Sequence, residues 1–214
     1  MIVLSGTVGA GKTSLTKILA NHFYSNAILE SVNNNPILPL FYKDPRRYAF
    51  LLQIYFLNKR LVNIKEAQKN RLNIIDRSIY EDQLLFKLNV DLGRATQTEY
   101  KLYNSLFHNM MEKHGSMPKK NPDLLIYIHV SFSNMLRHIK KRGRPYEQID
   151  IHPELFEYYK KLTNRYEVWY HKYKESPKIQ INGNINDFVY SKIASQRVIR
   201  KIDERLKQIG ILNC

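Results

Sequence analysis

Eight consecutive residues near the start of the chain, Gly6-Thr7-Val8-Gly9-Ala10-Gly11-Lys12-Thr13, fit the spacing G-x-x-x-x-G-K-[ST] without a gap. The chemistry of this pattern is phosphate binding. Its glycines let backbone N–H groups close around phosphate oxygens, and a helix starting there adds the positive end of its dipole. Lys12 is expected at the β- and γ-phosphates and the Thr13 hydroxyl on Mg²⁺, with Ser14 completing the segment 6–14. An apolar run (Ile2-Val3-Leu4) precedes the loop and a helical pattern follows it. Strand, glycine-rich turn and helix together predict a nucleoside triphosphate site.

Transfer of a phosphoryl group also needs a carboxylate to take the proton of the attacking hydroxyl, a magnesium site and positive charge around the moving phosphate. Glu30, at the end of the second apolar run, is the candidate base. Asp76 and Arg77 end the third: Asp76 would hold Mg²⁺ directly or through water, and Arg77 a substrate oxygen or phosphate. Arg142-Gly143-Arg144 closes a basic helical segment, and its guanidinium groups would neutralise charge on the transferring group. The seven histidines show no metal-ligand spacing.

These residues must be positioned by a scaffold, and the hydrophobic pattern supplies one. Strands are expected at Ile2–Leu4, Ala27–Leu29, Leu72–Ile75, Leu124–Val130 and Lys178–Ile181. Helices are expected at Lys12–Phe23, Arg46–Lys69, Ile79–Leu88, Thr96–Lys113, Ser133–Arg142, Pro153–Lys174 and Asp187–Gln208. The alternation predicts an α/β fold: a doubly wound, five-stranded parallel sheet with helices on both faces. Ligands of such sheets sit outside the carboxyl ends of the strands, which selects Gly6 onward, Glu30 and Asp76-Arg77. Ser78 and Glu81 form a capping-box pattern that starts a helix directly after Arg77. Pro153 fits the first turn of its helix, and the polar stretch 143–150 reads as a loop able to close over a ligand, a lid of about residues 137–150.

With 214 residues, 43% hydrophobic and 25% charged, one globular domain over 1–214 is expected. The net charge of +15 suits polyanionic ligands without choosing between nucleotide and nucleic acid. The only cysteine is Cys214, so neither a disulfide framework nor a cysteine zinc site is expected. No apolar run approaches ~18 residues and the phosphate loop leaves no room for a leader, so a cytoplasmic protein without membrane partners is expected.

The phosphate loop, Glu30, Tyr42-Lys43-Asp44-Pro45 with Gln53-Ile54-Tyr55 and Arg60, Asp76-Arg77-Ser78, and Arg142-Gly143-Arg144 with Glu147 fall in the order seen in deoxyribonucleoside kinases. The chain resembles the deoxyadenosine/deoxyguanosine/deoxycytidine branch of that family from Gly6 to about Phe188. The resemblance implies a P-loop fold and ATP-dependent phosphorylation of a deoxynucleoside 5′-hydroxyl with Mg²⁺. It also implies a homodimer, with deoxynucleoside and ATP rather than nucleic acid as partners. By the same resemblance Glu30 deprotonates the 5′-hydroxyl, Arg77 steadies it, and Asp76 lies near magnesium. Tyr42 and Glu147 grip the sugar 3′-hydroxyl, Gln53 pairs with the base edge, and Arg60 and Asp82 form a charged pair beside it. Arg142 and Arg144 are lid arginines, and Asp187 and Phe188 contact the adenine of ATP. Gln53 and Arg60 are seven apart and so share one helix face.

Three positions depart from the family pattern. Glu30-Ser31-Val32 replaces Glu-Pro-Val, Asp76 replaces a glutamate, and His138 stands where an arginine is common. Two rival readings remain: a nucleoside monophosphate kinase, which would not want a carboxylate at the attacking oxygen, and a nucleic-acid-binding P-loop ATPase, which needs a strand ending in apolar residues followed by Asp-Glu, a pattern this sequence does not show.

Overall fold

The computed structural model describes residues 1–30, 35–112 and 120–213. Ser31, Val32, Lys113 and Cys214, which entered the sequence reading, lie outside the described residues. Each expected apolar run forms a strand: β1 (Ile2–Ser5), β2 (Ala27–Ile28), β3 (Ile74–Asp76), β4 (Leu124–His129) and β5 (Lys178–Asn182). All neighbours pair in parallel, in the order β2-β3-β1-β4-β5. The helices are α1 (Lys12–His22), α2 (Leu38–Lys43), α3 (Pro45–Ala67), α4 (Ile79–Asp91), α5 (Gln97–Met111), α6 (Phe132–Arg142), α7 (Leu155–Lys172) and α8 (Lys192–Gln208).

Successive strand side chains face opposite sides of the sheet, and here both sides are apolar, as parallel sheets require. Ile2, Leu4, Ile126 and Ile128 pack on one face against Leu15 and Leu19 of α1 and Ile202 and Leu206 of α8. Val3, Ile75 and Leu125 point the other way, into a core with Leu57 of α3, Phe86 of α4 and Tyr103 and Phe107 of α5. Helices on both faces leave the strand ends open, so the carboxyl edge of the sheet is where polar residues collect. No helix among the described residues is long and apolar enough to cross a membrane.

Local chemistry sets the helix starts near that edge. The Asp44 side chain accepts from Arg47 N at 3.2 Å and Pro45 follows, so α3 begins one residue before the expected Arg46. Ser78 and Glu81 make the expected capping box at the head of α4.

Four expectations need correction. The short helix α2 was not expected; Asn35 Oδ1 accepts from Ile37 N and Leu38 N at its entry, and Pro39 sits in its first turn. α7 begins at Leu155, because Pro153 spends its carbonyl on Phe156 N (3.1 Å) in a preceding turn. α8 begins at Lys192 under a Ser191 cap, while Asp187 folds a separate turn by accepting from Tyr190 N at 3.2 Å. Finally, the stretch read as a loop over 143–150 contains a 3₁₀ turn, Pro145–Glu147. Gly143, at φ 71°, caps α6 in the left-handed conformation.

Candidate functional site

The phosphate loop leaves β1 at Ser5 and turns on three glycines with positive φ: Gly6 at 145°, Gly9 at 74° and Gly11 at 88°. Space as well as conformation demands glycine at the first, since a Cβ on Gly6 would lie 2.6 Å from the Ile128 carbonyl oxygen. Gly11 caps α1, and Lys12 follows it into the first turn. The Lys12 ammonium is buried and donates back to the carbonyls of Gly6 (2.7 Å) and Thr7 (2.9 Å). Burial, and then the neighbouring Arg77, lower its pKa to about 8. Thr13 Oγ1 donates to Asp76 Oδ2, and Asp76 Oδ1 is buried with no hydrogen-bond partner among the described residues.

Glu30 lies two residues past β2, and both of its oxygens are taken. Oε1 accepts from Arg60 Nη2, and Oε2 from Arg77 Nε at 3.2 Å. Burial would raise this carboxyl, but Arg77 and then Arg60 hold it down at about 2. Arg60, from α3, also donates through Nε to Asp82 Oδ2 of α4 at 3.1 Å. Burial opposes the Arg60 charge, yet Asp82 and Glu30 more than compensate and keep it protonated. Burial pushes Asp82 up to about 6 against the pull of Arg60 and Arg77. Gln53 is buried on the same helix as Arg60, and its Oε1 has no hydrogen-bond partner among the described residues.

Tyr42 of α2 packs against Tyr146 with ring centroids 5.1 Å apart. Beside them Glu147 accepts from Arg142 Nη2 and, at 3.4 Å, from Arg144 Nη1. The two halves open into one cleft of ≈ 1170 Å³, lined from Gly9, Lys12 and Thr13 to Glu30, Gln53 and Glu147. That exceeds the ~300–1,000 Å³ usual for one small ligand and gives room for two reactants. Among the described residues no group of three or more His, Cys, Asp or Glu could hold a metal ion alone. A cation here would complete its shell with waters or substrate oxygens.

The structure thus brings together Lys12, Thr13, Glu30, Tyr42, Gln53, Asp76, Arg77, Asp82, Arg142, Arg144, Glu147, Asp187 and Phe188 along one cleft. Three residues make contacts that the sequence reading did not give. Arg60 is not confined to a pair with Asp82, because it also holds Glu30. Phe188 is almost wholly buried, its ring only 3.0 Å from where a Cβ on Gly11 would stand, so it packs against the phosphate loop where it lines the cleft. His138 Nδ1 lies 2.9 Å from the Gly9 carbonyl, tying α6 to the loop. Sequence reasoning missed Tyr146 and Tyr158, which line the cleft, and Tyr166, which donates to a buried Glu81. Only Glu81 carried a signal, as partner in a capping box; nothing separates Tyr166 from the other fourteen of the chain's 15 tyrosines.

A family model described as deoxynucleoside kinase matches residues 2–207. The chain is 54% identical over 212 residues to a deoxyadenosine kinase of Lactobacillus acidophilus, covering 99% of both chains. It is 52% identical over 210 residues to a deoxyguanosine kinase of Lactobacillus johnsonii, covering 98% of this chain and 94% of the relative. Among solved structures, deoxyadenosine kinase from M. mycoides with bound dATP superposes with a TM-score of 0.76 at 29% identity, over 94% of this chain and 98% of that one.

Two outcomes follow from the charges in the cleft. Arg60→Met strands Asp82 and half of Glu30 without their cation, so it should destabilise the fold by about 3–5 kcal/mol in urea unfolding, and adding Asp82→Ala should recover part of that loss. A double variant no more stable than Arg60→Met would show that the pair is not the source. Second, Lys12 loses its proton as pH rises through about 8 in the free protein, and a bound polyphosphate would raise that value again. Titration calorimetry with tripolyphosphate should therefore show proton uptake near pH ~9 and almost none near pH ~7. Equal uptake at both values would exclude Lys12 as its source.

Proposed function

The chain belongs to the deoxynucleoside kinase family, and from that premise we propose that it phosphorylates the 5′-hydroxyl of a purine deoxynucleoside with ATP, accepting deoxycytidine as well, in nucleotide salvage. The observation that carries the proposal is Glu30, an ionised carboxylate held by two arginines in the cleft that also contains the phosphate loop. A monophosphate acceptor would bring its own negative charge toward that carboxylate, which disfavours the monophosphate-kinase reading. A basic surplus of +15 suits a polyanionic triphosphate donor and needs no nucleic acid to account for it.

In this reading ATP lies with its phosphates in the loop 6–14 and its adenine toward Asp187 and the Phe188 turn. Lys12 exchanges its bonds to loop carbonyls for β- and γ-phosphate oxygens, a stronger, charge-assisted contact. The residues present fit Mg²⁺: Thr13 and Asp76 offer hard oxygen ligands, and the unpartnered Asp76 Oδ1 is an oxygen awaiting a partner. Bound there, the ion would neutralise phosphate charge. The nucleoside sits with its base at Gln53 and its sugar between Tyr42 and Glu147.

Glu30 at about 2 is too weak a base to ionise an alcohol before reaction. Its part is to accept the 5′-hydroxyl hydrogen bond, aim the oxygen, and receive the proton as the new O–P bond forms, while Arg77 holds the carboxylate in place. Arg142 and Arg144 then neutralise charge on the phosphoryl group in flight. No covalent enzyme intermediate is needed.

We also read residues 1–214 as one kinase domain, cytoplasmic and homodimeric. Leu51 and Val62, eleven residues apart on α3 and so on one helix face, are each about half exposed, which supports a face covered by a second copy.

The direct test is a radiolabelled-phosphate panel of the four deoxynucleosides, their ribo counterparts and the monophosphates. Deoxyadenosine or deoxyguanosine should be the best acceptor and thymidine poorer by roughly tenfold or more, since its methyl group would desolvate Arg60 and Asp82 without replacing their bonds. Monophosphates as the preferred acceptors would overturn the proposal. Glu30→Gln should lower kcat by about 10²–10⁴-fold with little change in nucleoside affinity, and turnover within a few-fold of the unmodified enzyme would remove Glu30 from the chemistry.

A further inference from the structure

Glu81 is fully buried, and its capping bond accounts for one of its two oxygens only. Oε2 accepts from Ser78 N at 2.7 Å. Oε1 accepts from Gly6 N, the first amide of the phosphate loop, at 3.1 Å, and from the Tyr166 hydroxyl at 2.7 Å. That hydroxyl, also fully buried, accepts in turn from Arg77 Nη1 at 3.0 Å. Arg77 Nε reaches Glu30. A continuous path of hydrogen bonds therefore runs from the donor loop to the carboxylate on the acceptor side.

The hydroxyl is the bridge in this path. Arg77 Nη1 and Glu81 Oε1 are 3.8 Å apart, beyond hydrogen-bond distance, so the guanidinium meets Glu81 through Tyr166. A guanidinium is planar, and fixing two of its nitrogens fixes its plane. Arg77 has Nε on Glu30 and Nη1 on Tyr166; with the second contact removed, the group can turn about the first. Its backbone needs the same support. Arg77 is one of two described non-glycine residues with positive φ, at 83°, and it is held between its own N–H on Leu4 O (3.0 Å) and the next N–H on Glu81.

We propose that Tyr166 and Glu81 are positioning residues for phosphoryl transfer. Through the Tyr166 hydroxyl they orient Arg77 and thereby Glu30, and through Gly6 N they keep the phosphate loop in register with that carboxylate. The proposal rests on the assignment of Arg77 and Glu30 to the acceptor side. A small rotation of aligned groups slows the chemical step more than it weakens ground-state binding, so the effect belongs in kcat.

The test is Tyr166→Phe, which keeps the ring that lies parallel to Tyr127 and edge-on to Trp169 and deletes only the hydroxyl. We expect kcat to fall by about 10–30-fold with KM for nucleoside and ATP within about threefold. Arg77→Lys is measured alone and combined with it. Lysine lacks the second nitrogen that the hydroxyl holds, so Tyr166→Phe should cause less than about twofold further loss in that background. Unchanged kcat in Tyr166→Phe, or the same loss in both backgrounds, overturns the positioning role. Full turnover in Arg77→Lys overturns the assignment of Arg77 itself, and the inference with it. If Tyr166→Phe shows no cooperative thermal transition, Glu81→Gln is measured the same way: its amide cannot accept at both former oxygens, and a folded variant with unmodified kcat overturns the proposal.

Discussion

Glu30 is shared by two guanidinium groups, one on each oxygen, and the layout of the strand ends follows from keeping such buried charges paired. Asp82 and Glu81 extend the set on the acidic side, and Arg60, Arg77 and Lys12 balance it on the basic side. Removing one member of a buried pair leaves a bare charge in a medium that stabilises it poorly, so the members stand or fall together. Their elements are therefore tied as well. Arg60 joins α3 to α4 and to the end of β2, and Glu81 joins α4 to the phosphate loop and α7. The apolar cores on either sheet face hold the strands in register, but this polar layer fixes the helix starts relative to the strand ends.

On the role proposed for Glu30, the same pairing would set the catalytic character of the site. Two arginines that hold Glu30 in place also lower its basicity, with its pKa near 2 rather than near neutrality. General-base catalysis favours a pKa near the working pH. Phosphoryl transfer through a loose transition state relaxes that demand, because little negative charge has to build on the attacking oxygen before the phosphoryl group arrives. Geometry is then worth more than base strength, and a rigid, weakly basic carboxylate serves better than a mobile, stronger one.

Which parts of this were legible in the sequence follows from how local each signal is. The phosphate loop, the five strands and the Ser78–Glu81 cap depend on neighbours within a few residues, and each was read from spacing alone. Helix boundaries shifted where a turn forms ahead of the helix: the Asp187 side chain turns the chain before α8, and the Pro153 carbonyl accepts from Phe156 N at the entry to α7. α2 escaped because six residues carry too little periodicity to declare a helix. The order of several motifs picked out residues that line one cleft, but not the contacts they make there. That Arg60 divides itself between Asp82 and Glu30 depends on the packing of α3 across two strand ends. Tyr166, whose bonds reach residues 85 and 89 positions away, has no local signature at all.

The cations of the proposed donor side show how a charged group can be bonded and still receptive. Lys12 rests on two neutral carbonyls, whereas Arg142 and Arg144 rest on the carboxylate of Glu147. A phosphate offers Lys12 a charged partner in place of neutral ones, so that exchange is favourable once the triphosphate is in the loop. The two arginines exchange one anion for another, a nearly balanced change that a third group can tip. On the proposed roles that group is the sugar 3′-hydroxyl. By hydrogen-bonding to Glu147 it competes for the oxygens that hold the lid arginines, and so releases positive charge toward the phosphates when an acceptor is present. An ATP molecule bound without nucleoside would find Lys12 in place but the arginines still engaged, which disfavours transfer to water.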